Sequence, residues 1–91
     1  MSDPILNYDS VIREGVNFDL LSYNSDMTRV LTDFEVCGGE PFTGLAYELT
    51  RTKKLAWYAF YRNGVRHGQC VIYTPAGNVE RTCQYTNGNE L

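Results

Sequence analysis

The sequence is short of most of what catalysis or membrane insertion requires. It holds one histidine, His67, inside a turn motif, where an imidazole more often sits at the surface than serves as a general base. No glycine-rich loop stands between a strand and a helix to cradle a phosphate, and no Cys/His spacing suits zinc. Three cysteines, Cys37, Cys70 and Cys83, make no close pair. That argues against a disulfide framework and for a cytoplasmic location. Cys70 and Cys83 read as small buried apolar thiols on one sheet face. The longest apolar run, Leu55 to Tyr61, is far too short to cross a bilayer. Met1-Ser2-Asp3-Pro4 lacks the basic start and apolar stretch of a signal peptide. Asp33 and Glu35 lie two apart on one strand face, yet no nucleophile or base accompanies them. No cofactor or metal is expected, and an enzyme is the least favoured class.

Positive charge is also scarce. Eight Lys+Arg against 11 Asp+Glu leave a net charge of −3 and a pI near 4.9. This excludes an ordinary nucleic-acid binder, and the absence of a Lys/Arg cluster disfavours anionic membranes. It favours a basic partner. What the chain does have is aromatics: seven Tyr, four Phe and one Trp in 91 residues, types that prefer strands. The length suits a single domain, 1–91, burying roughly 60–65% of the surface its unfolded form exposes.

Helical periodicity is weak beyond Ile5, Leu6, Val11 and Ile12. From Val30 onward, strand-like runs are broken by Gly38-Gly39-Glu40-Pro41, Arg51-Thr52-Lys53, Asn63-Gly64, Pro75-Ala76-Gly77 and Asn87-Gly88. Asn-Gly between β-rich runs marks a hairpin, because both central residues of a type I′ turn need positive φ. The expected fold is mainly β, a single-layer curved antiparallel meander with an N-terminal covering segment.

The breaks recur. Gly44 and Gly68, Thr50 and Thr74, Tyr61 and Tyr85, Asn63 and Asn87, and Gly64 and Gly88 each lie 24 residues apart. These five identities in 24 positions exceed the one or two that average composition gives, roughly. Two tandem hairpin units, 44–67 and 68–91, follow. Residues 17–43 read as a degenerate capping repeat, and residues 1–16 as an N-terminal segment outside it.

A two-residue turn at Asn63-Gly64 pairs Arg62 with Val65, which would set Ala59 against Gly68 and Trp57 against Cys70. One face then holds Leu55, Trp57, Ala59, Tyr61, Cys70 and Ile72, joined by Val79, Cys83 and Tyr85. The other holds Leu45, Tyr47, Leu49, Tyr58, Phe60, Val71 and Tyr73. A second apolar face needs cover. Either the N-terminal segment supplies it through Ile5, Leu6, Val11, Ile12 and Phe18, or part of it meets a partner.

Gly39-Glu40-Pro41-Phe42-Thr43-Gly44, Tyr61-Arg62-Asn63-Gly64-Val65-Arg66-His67-Gly68 and residues 73–88 resemble the variant MORN repeat of bacterial YwqK-type antitoxins. The resemblance covers about residues 30–91. It departs from the pattern at Arg51-Thr52-Lys53-Lys54, where Asn-Gly is usual, and at Cys70 and Cys83, where Trp and Gly are common. The chain also stops before the glycine of a next repeat, which argues against a long groove-forming array.

The resemblance implies an immunity protein or antitoxin that binds and neutralises a cognate bacterial toxin. Carboxylates at Asp19, Asp26, Asp33, Glu35, Glu40, Glu48 and Glu80 would steer a basic toxin surface. Tyr47, Tyr58, Phe60 and Tyr73 would anchor it. Asp33, Glu35, Glu48 and Glu80 with those four aromatics are the candidate partner-binding set. The competing expectation is a MORN-repeat structural scaffold or membrane-associated module, which binding to anionic vesicles would reveal. The chain is expected to be a monomer, or a dimer paired through an open edge near Thr82–Asn87.

Overall fold

The computed structural model describes residues 4–23, 30–32 and 41–91. A short helix, α1 (Tyr8–Glu14), precedes strand β1 (Val16–Asn17), a 3₁₀ turn (Phe18–Leu20) and strands β2 (Leu21–Tyr23) and β3 (Val30–Thr32). Then follow β4 (Gly44–Leu49), β5 (Leu55–Arg62), β6 (Val65–Tyr73), β7 (Val79–Thr86) and β8 (Asn89–Glu90). An open sheet runs in the order β1-β4-β5-β6-β7-β8, and β2 pairs with β3 separately. The mainly β, largely antiparallel sheet is the one expected. The exception is β1, which lies parallel to β4 through Val16↔Ala46 and Asn17↔Tyr47. A parallel pair needs a long crossover rather than a hairpin, and two residues carry no pattern that could announce it.

Turn chemistry repeats at the 24-residue spacing. The Thr50 N–H donates to the Lys54 carbonyl at 2.8 Å, and Thr74 N–H to the Asn78 carbonyl at 2.7 Å. Gly64 N–H donates to the Phe42 carbonyl and Gly88 N–H to the Arg66 carbonyl, each at 2.8 Å. Asn63 N–H meets Thr43 Oγ1 at 3.0 Å, and its counterpart Asn87 N–H meets His67 Nδ1 at 3.2 Å. Asn63 and Asn87 have φ of 51° and 49°, followed by Gly64 and Gly88 at 84° and 89°. That is the positive-φ pair a type I′ turn demands.

Bulges correct the expected register. Tyr61 pairs with Arg66, but the pairing then shifts, so Ala59 opposes Cys70 and Trp57 opposes Ile72. Gly68, at φ +107°, sits in that shift with the position of a would-be Cβ 3.5 Å from Phe60 Cβ. A second shift pairs Glu48 with Trp57 and then Leu49 with Leu55, leaving Ala56 as the extra residue. Its counterpart is Glu80, between Ile72↔Arg81 and Tyr73↔Val79. One inserted residue swaps faces beyond it. Leu55 therefore packs with Tyr58 and Val71, and Val79 pairs with Tyr73. Neither joins Trp57.

The Trp57 face buries Phe42, Ala46, Ala59, Tyr61, Cys70 and Cys83. Phe18 packs here, its ring 5.1 Å from Trp57 and edge-on, and not on the opposite face as expected. The Tyr58 face buries Leu45, Tyr47, Leu55, Tyr58 and Val71 under Val11 of α1, with Leu6 and Ile12 beside it. The N-terminal segment thus covers this second face in part. Asn7 caps α1 by accepting from Ser10 N–H at 2.8 Å, and the Gly15 N–H returns to the Val11 carbonyl at 2.8 Å. A Cβ at Gly15 would lie 2.7 Å from the Val11 carbonyl oxygen and 3.0 Å from Tyr47. Only glycine lets the helix end sit this close to β4.

The far edge is partly closed. Tyr85 and Thr86 pair with β8, and the Leu91 N–H reaches the Gln84 carbonyl at 2.8 Å. Of the edge expected to be open, Thr82–Asn87, only Thr82 and Cys83 lack such a partner among the described residues, and the unpaired stretch runs back from them to Val79. No helix among the described residues is long and apolar enough to cross a membrane.

Candidate partner-binding site

The eight candidate residues do not converge on one patch. Asp33 and Glu35 lie outside the described residues, as do Asp26 and Glu40. Tyr58 is fully buried and Tyr47 nearly so, at 0% and 9% exposed. Neither ring can anchor a partner, because α1 and the chain before it occupy the space above them. Glu48 accepts from Trp57 Nε1 at 2.9 Å and so belongs to the Trp57 face. Phe60 and Tyr73 are half-buried on the opposite face. Glu80 is exposed at its bulge, and Asp19 is exposed in the 3₁₀ turn.

Tyr73 is the candidate that reaches a concavity. A groove of about 440 Å³ opens between the N-terminal segment and the tips of the two long turns. Ile5, Leu6 and Tyr8 form one wall, Leu55 and Tyr73 contribute from the sheet, and Lys53, Lys54, Ala76 and Gly77 come from the tips. Ile5 and Tyr8 keep 46% and 42% of their surface exposed. The Tyr8 hydroxyl donates to the Lys53 carbonyl at 2.9 Å, tying the start of α1 to the first tip. Burial pushes the Tyr73 phenol pKa up, and neighbouring Tyr58 adds to the effect.

Below the groove, a hydrogen-bond chain fixes the N-terminal segment. Leu6 N–H donates to the Tyr58 hydroxyl oxygen at 3.0 Å. Tyr58 donates to Gln69 Oε1 at 2.7 Å, and Gln69 Nε2 donates to the Pro4 carbonyl at 3.3 Å. A buried polar chain of this kind is costly to break, which makes the wall firm.

Lysine was the missed signal. The whole sequence contains two lysines, Lys53 and Lys54, and both line this groove, with no Asp or Glu lining it among the described residues. Lys53 holds φ of +67° where its counterpart is Gly77 at +93°. A side chain in that region strains the backbone. The adjacent lysines are legible in the sequence, but a net charge of −3 points to the carboxylates instead.

A second cluster lies on the Trp57 face. The Arg66 guanidinium carbon is 5.6 Å from the Trp57 ring centre and 5.4 Å from that of Tyr85. Its Nη1 donates to the Tyr85 hydroxyl oxygen at 3.3 Å. Burial works against the cation, but hydrogen bonds to Tyr61 and Tyr85 more than offset it, so the pKa rises further and Arg66 stays charged. Arg81 and Glu90 form an exposed ion pair at 2.6 Å, which contributes little in water.

His67, the single histidine, accepts a turn N–H through Nδ1. Cys70 and Cys83 oppose each other in register and are both free and buried. Burial raises the Cys70 pKa, although the nearby Arg66 pulls the other way, so the thiol form is favoured. No group of three or more His, Cys, Asp or Glu among the described residues is placed to hold a metal ion.

The chain is similar to the immunity protein YwqK of Bacillus subtilis (strain 168), with 39% identity over 59 residues. The match covers 65% of this chain and 38% of that relative, so the chain spans well under half of the relative's length. No family model matches the chain, and no solved structure matches it.

Proposed function

We propose that this chain is an immunity protein that binds a cognate bacterial toxin domain and neutralises it by contact alone. The observation that carries the reading is the 39% identity over 59 residues to a protein named an immunity protein. The structure is compatible with it. The one imidazole is engaged in a turn and the described thiols are buried, while an apolar, lysine-edged groove and an arginine–aromatic cluster offer contact chemistry. We assign the hairpin units 44–67 and 68–91 to a MORN-like repeat, and the protein to the cytoplasm, where a toxin would have to be met before it harms its maker.

Co-expression in a heterologous bacterium tests the reading. The product of the neighbouring reading frame is the toxin expected on this reading: it should arrest growth alone and be tolerated when this chain is made with it. Continued arrest, with both proteins present and folded, overturns the proposal.

A further inference from the structure

The groove beside Lys53 and Lys54 has a local chemistry opposite to that of the whole molecule. The chain carries 11 Asp+Glu, yet none of those among the described residues lines this concavity, while both of its lysines do. Screening confines exposed charges to about 8–10 Å at physiological salt, so the local pair governs what docks here rather than the net charge. Apart from Asn7, the side chains that line the groove beside the lysines are mainly apolar: Ile5, Leu6, Leu55 and the Tyr8 and Tyr73 rings. Two of these, Ile5 and Tyr8, are among the large apolar residues left exposed within the described part of the chain.

The local geometry holds the lysines in place. Lys53 is kept at positive φ, and Tyr8 bonds its carbonyl at 2.9 Å. The Lys54 stem passes over Gly77, its Cδ 3.7 Å from where a Cβ would stand on that glycine. Both lysines are thus carried on the one short turn, Thr50–Lys54, that joins β4 to β5. A space of about 440 Å³ admits a few side chains and not a whole helix, within the range of ordinary binding pockets.

We infer that this groove receives a loop of the toxin in which an apolar or aromatic side chain is flanked by carboxylates. The ring enters between Tyr8, Leu55 and Tyr73, and the carboxylates meet Lys53 and Lys54. This rests on the toxin-binding reading and reverses, at this site, the expectation of a basic partner surface. Charged pairs at the rim set the rate and specificity of association, and the enclosed apolar side chain supplies most of the affinity.

Because both lysines lie in the groove, amine chemistry reports on it cleanly. In the complex with the neighbouring toxin domain, acetylation of Lys53 and Lys54, read by mass spectrometry, should slow at least tenfold relative to the free protein. Lys53→Glu/Lys54→Glu should weaken the complex at least 30-fold by calorimetry, and Lys53→Arg/Lys54→Arg by less than threefold. The inference is overturned, and the immunity reading kept, if the complex forms while both lysines stay fully reactive and the reversal costs less than threefold. It is also overturned if acetylation dissociates a dimer of the free chain, which gives the groove to a second copy. Absence of any complex overturns both.

Discussion

Tyr58 donates its hydroxyl proton to Gln69 Oε1 at 2.7 Å, joining the centre of β5 to that of β6 inside the core. The Tyr58 hydroxyl oxygen in turn accepts from Leu6 N–H, so one phenol binds the sheet to the segment that walls the groove. Tyr58→Phe keeps the ring packing and removes this link. It should cost about 1–3 kcal/mol in urea unfolding and speed hydrogen exchange at the Leu6 amide. An unchanged midpoint would show that the N-terminal segment is held by apolar contact alone.

Lys53 and Gly77 occupy the same place in successive turns, at φ of +67° and +93°. Gly77→Ala should destabilise by about 1–2 kcal/mol, since a Cβ strains that backbone. Lys53→Gly relieves similar strain but adds about 0.5–1 kcal/mol of unfolded-chain freedom, so the two effects nearly cancel. Thermal melts of the two variants check this. A large loss of stability in Lys53→Gly would mean that the lysine side chain is structural rather than retained for contact.

Cys70 and Tyr73 both have pKa values raised chiefly by burial. The folded state therefore holds these protons more tightly than the unfolded chain does. Their contribution is complete below the ordinary thiol and phenol values, about 8.5 and 10, and is lost as pH rises through the higher folded values. Denaturation midpoints should be level from neutrality to about pH 8.5 and fall above it. In a Cys37→Ser background, Cys70 and Cys83 should resist a thiol reagent until unfolding. A midpoint that climbs in alkali would contradict this assignment.

The turns were legible in the sequence because they have a stereochemical signature. Asn63-Gly64 and Asn87-Gly88 announce their positive φ, and the spacing between them announces a repeat. The bulges at Ala56 and Glu80 have no such mark, since any residue serves as the extra one, and each sent its neighbour, Leu55 or Val79, to the other face. Of the candidate contact residues, alternation places Tyr73 correctly, while Tyr47 and Tyr58 belong to a face whose cover depends on where α1 docks. Arg66 was missed because its long side chain crosses the sheet to Trp57, a reach that pairing alone does not give.

Arg66 between Trp57 and Tyr85 predicts a spectroscopic effect. Arg66→Met should retain the aliphatic packing and lose the cation over both rings, at a cost of about 1–2 kcal/mol. Trp57, the single tryptophan, should shift its emission as the cation leaves. An unaltered spectrum and stability would show that the stack is incidental.

The central claim is neutralisation by stoichiometric contact. Purified toxin domain titrated with this protein should lose its activity linearly, reaching zero at one equivalent, with both polypeptides recovered chemically unchanged. Full activity at a large excess, or complete inactivation at a small fraction of an equivalent, would contradict it.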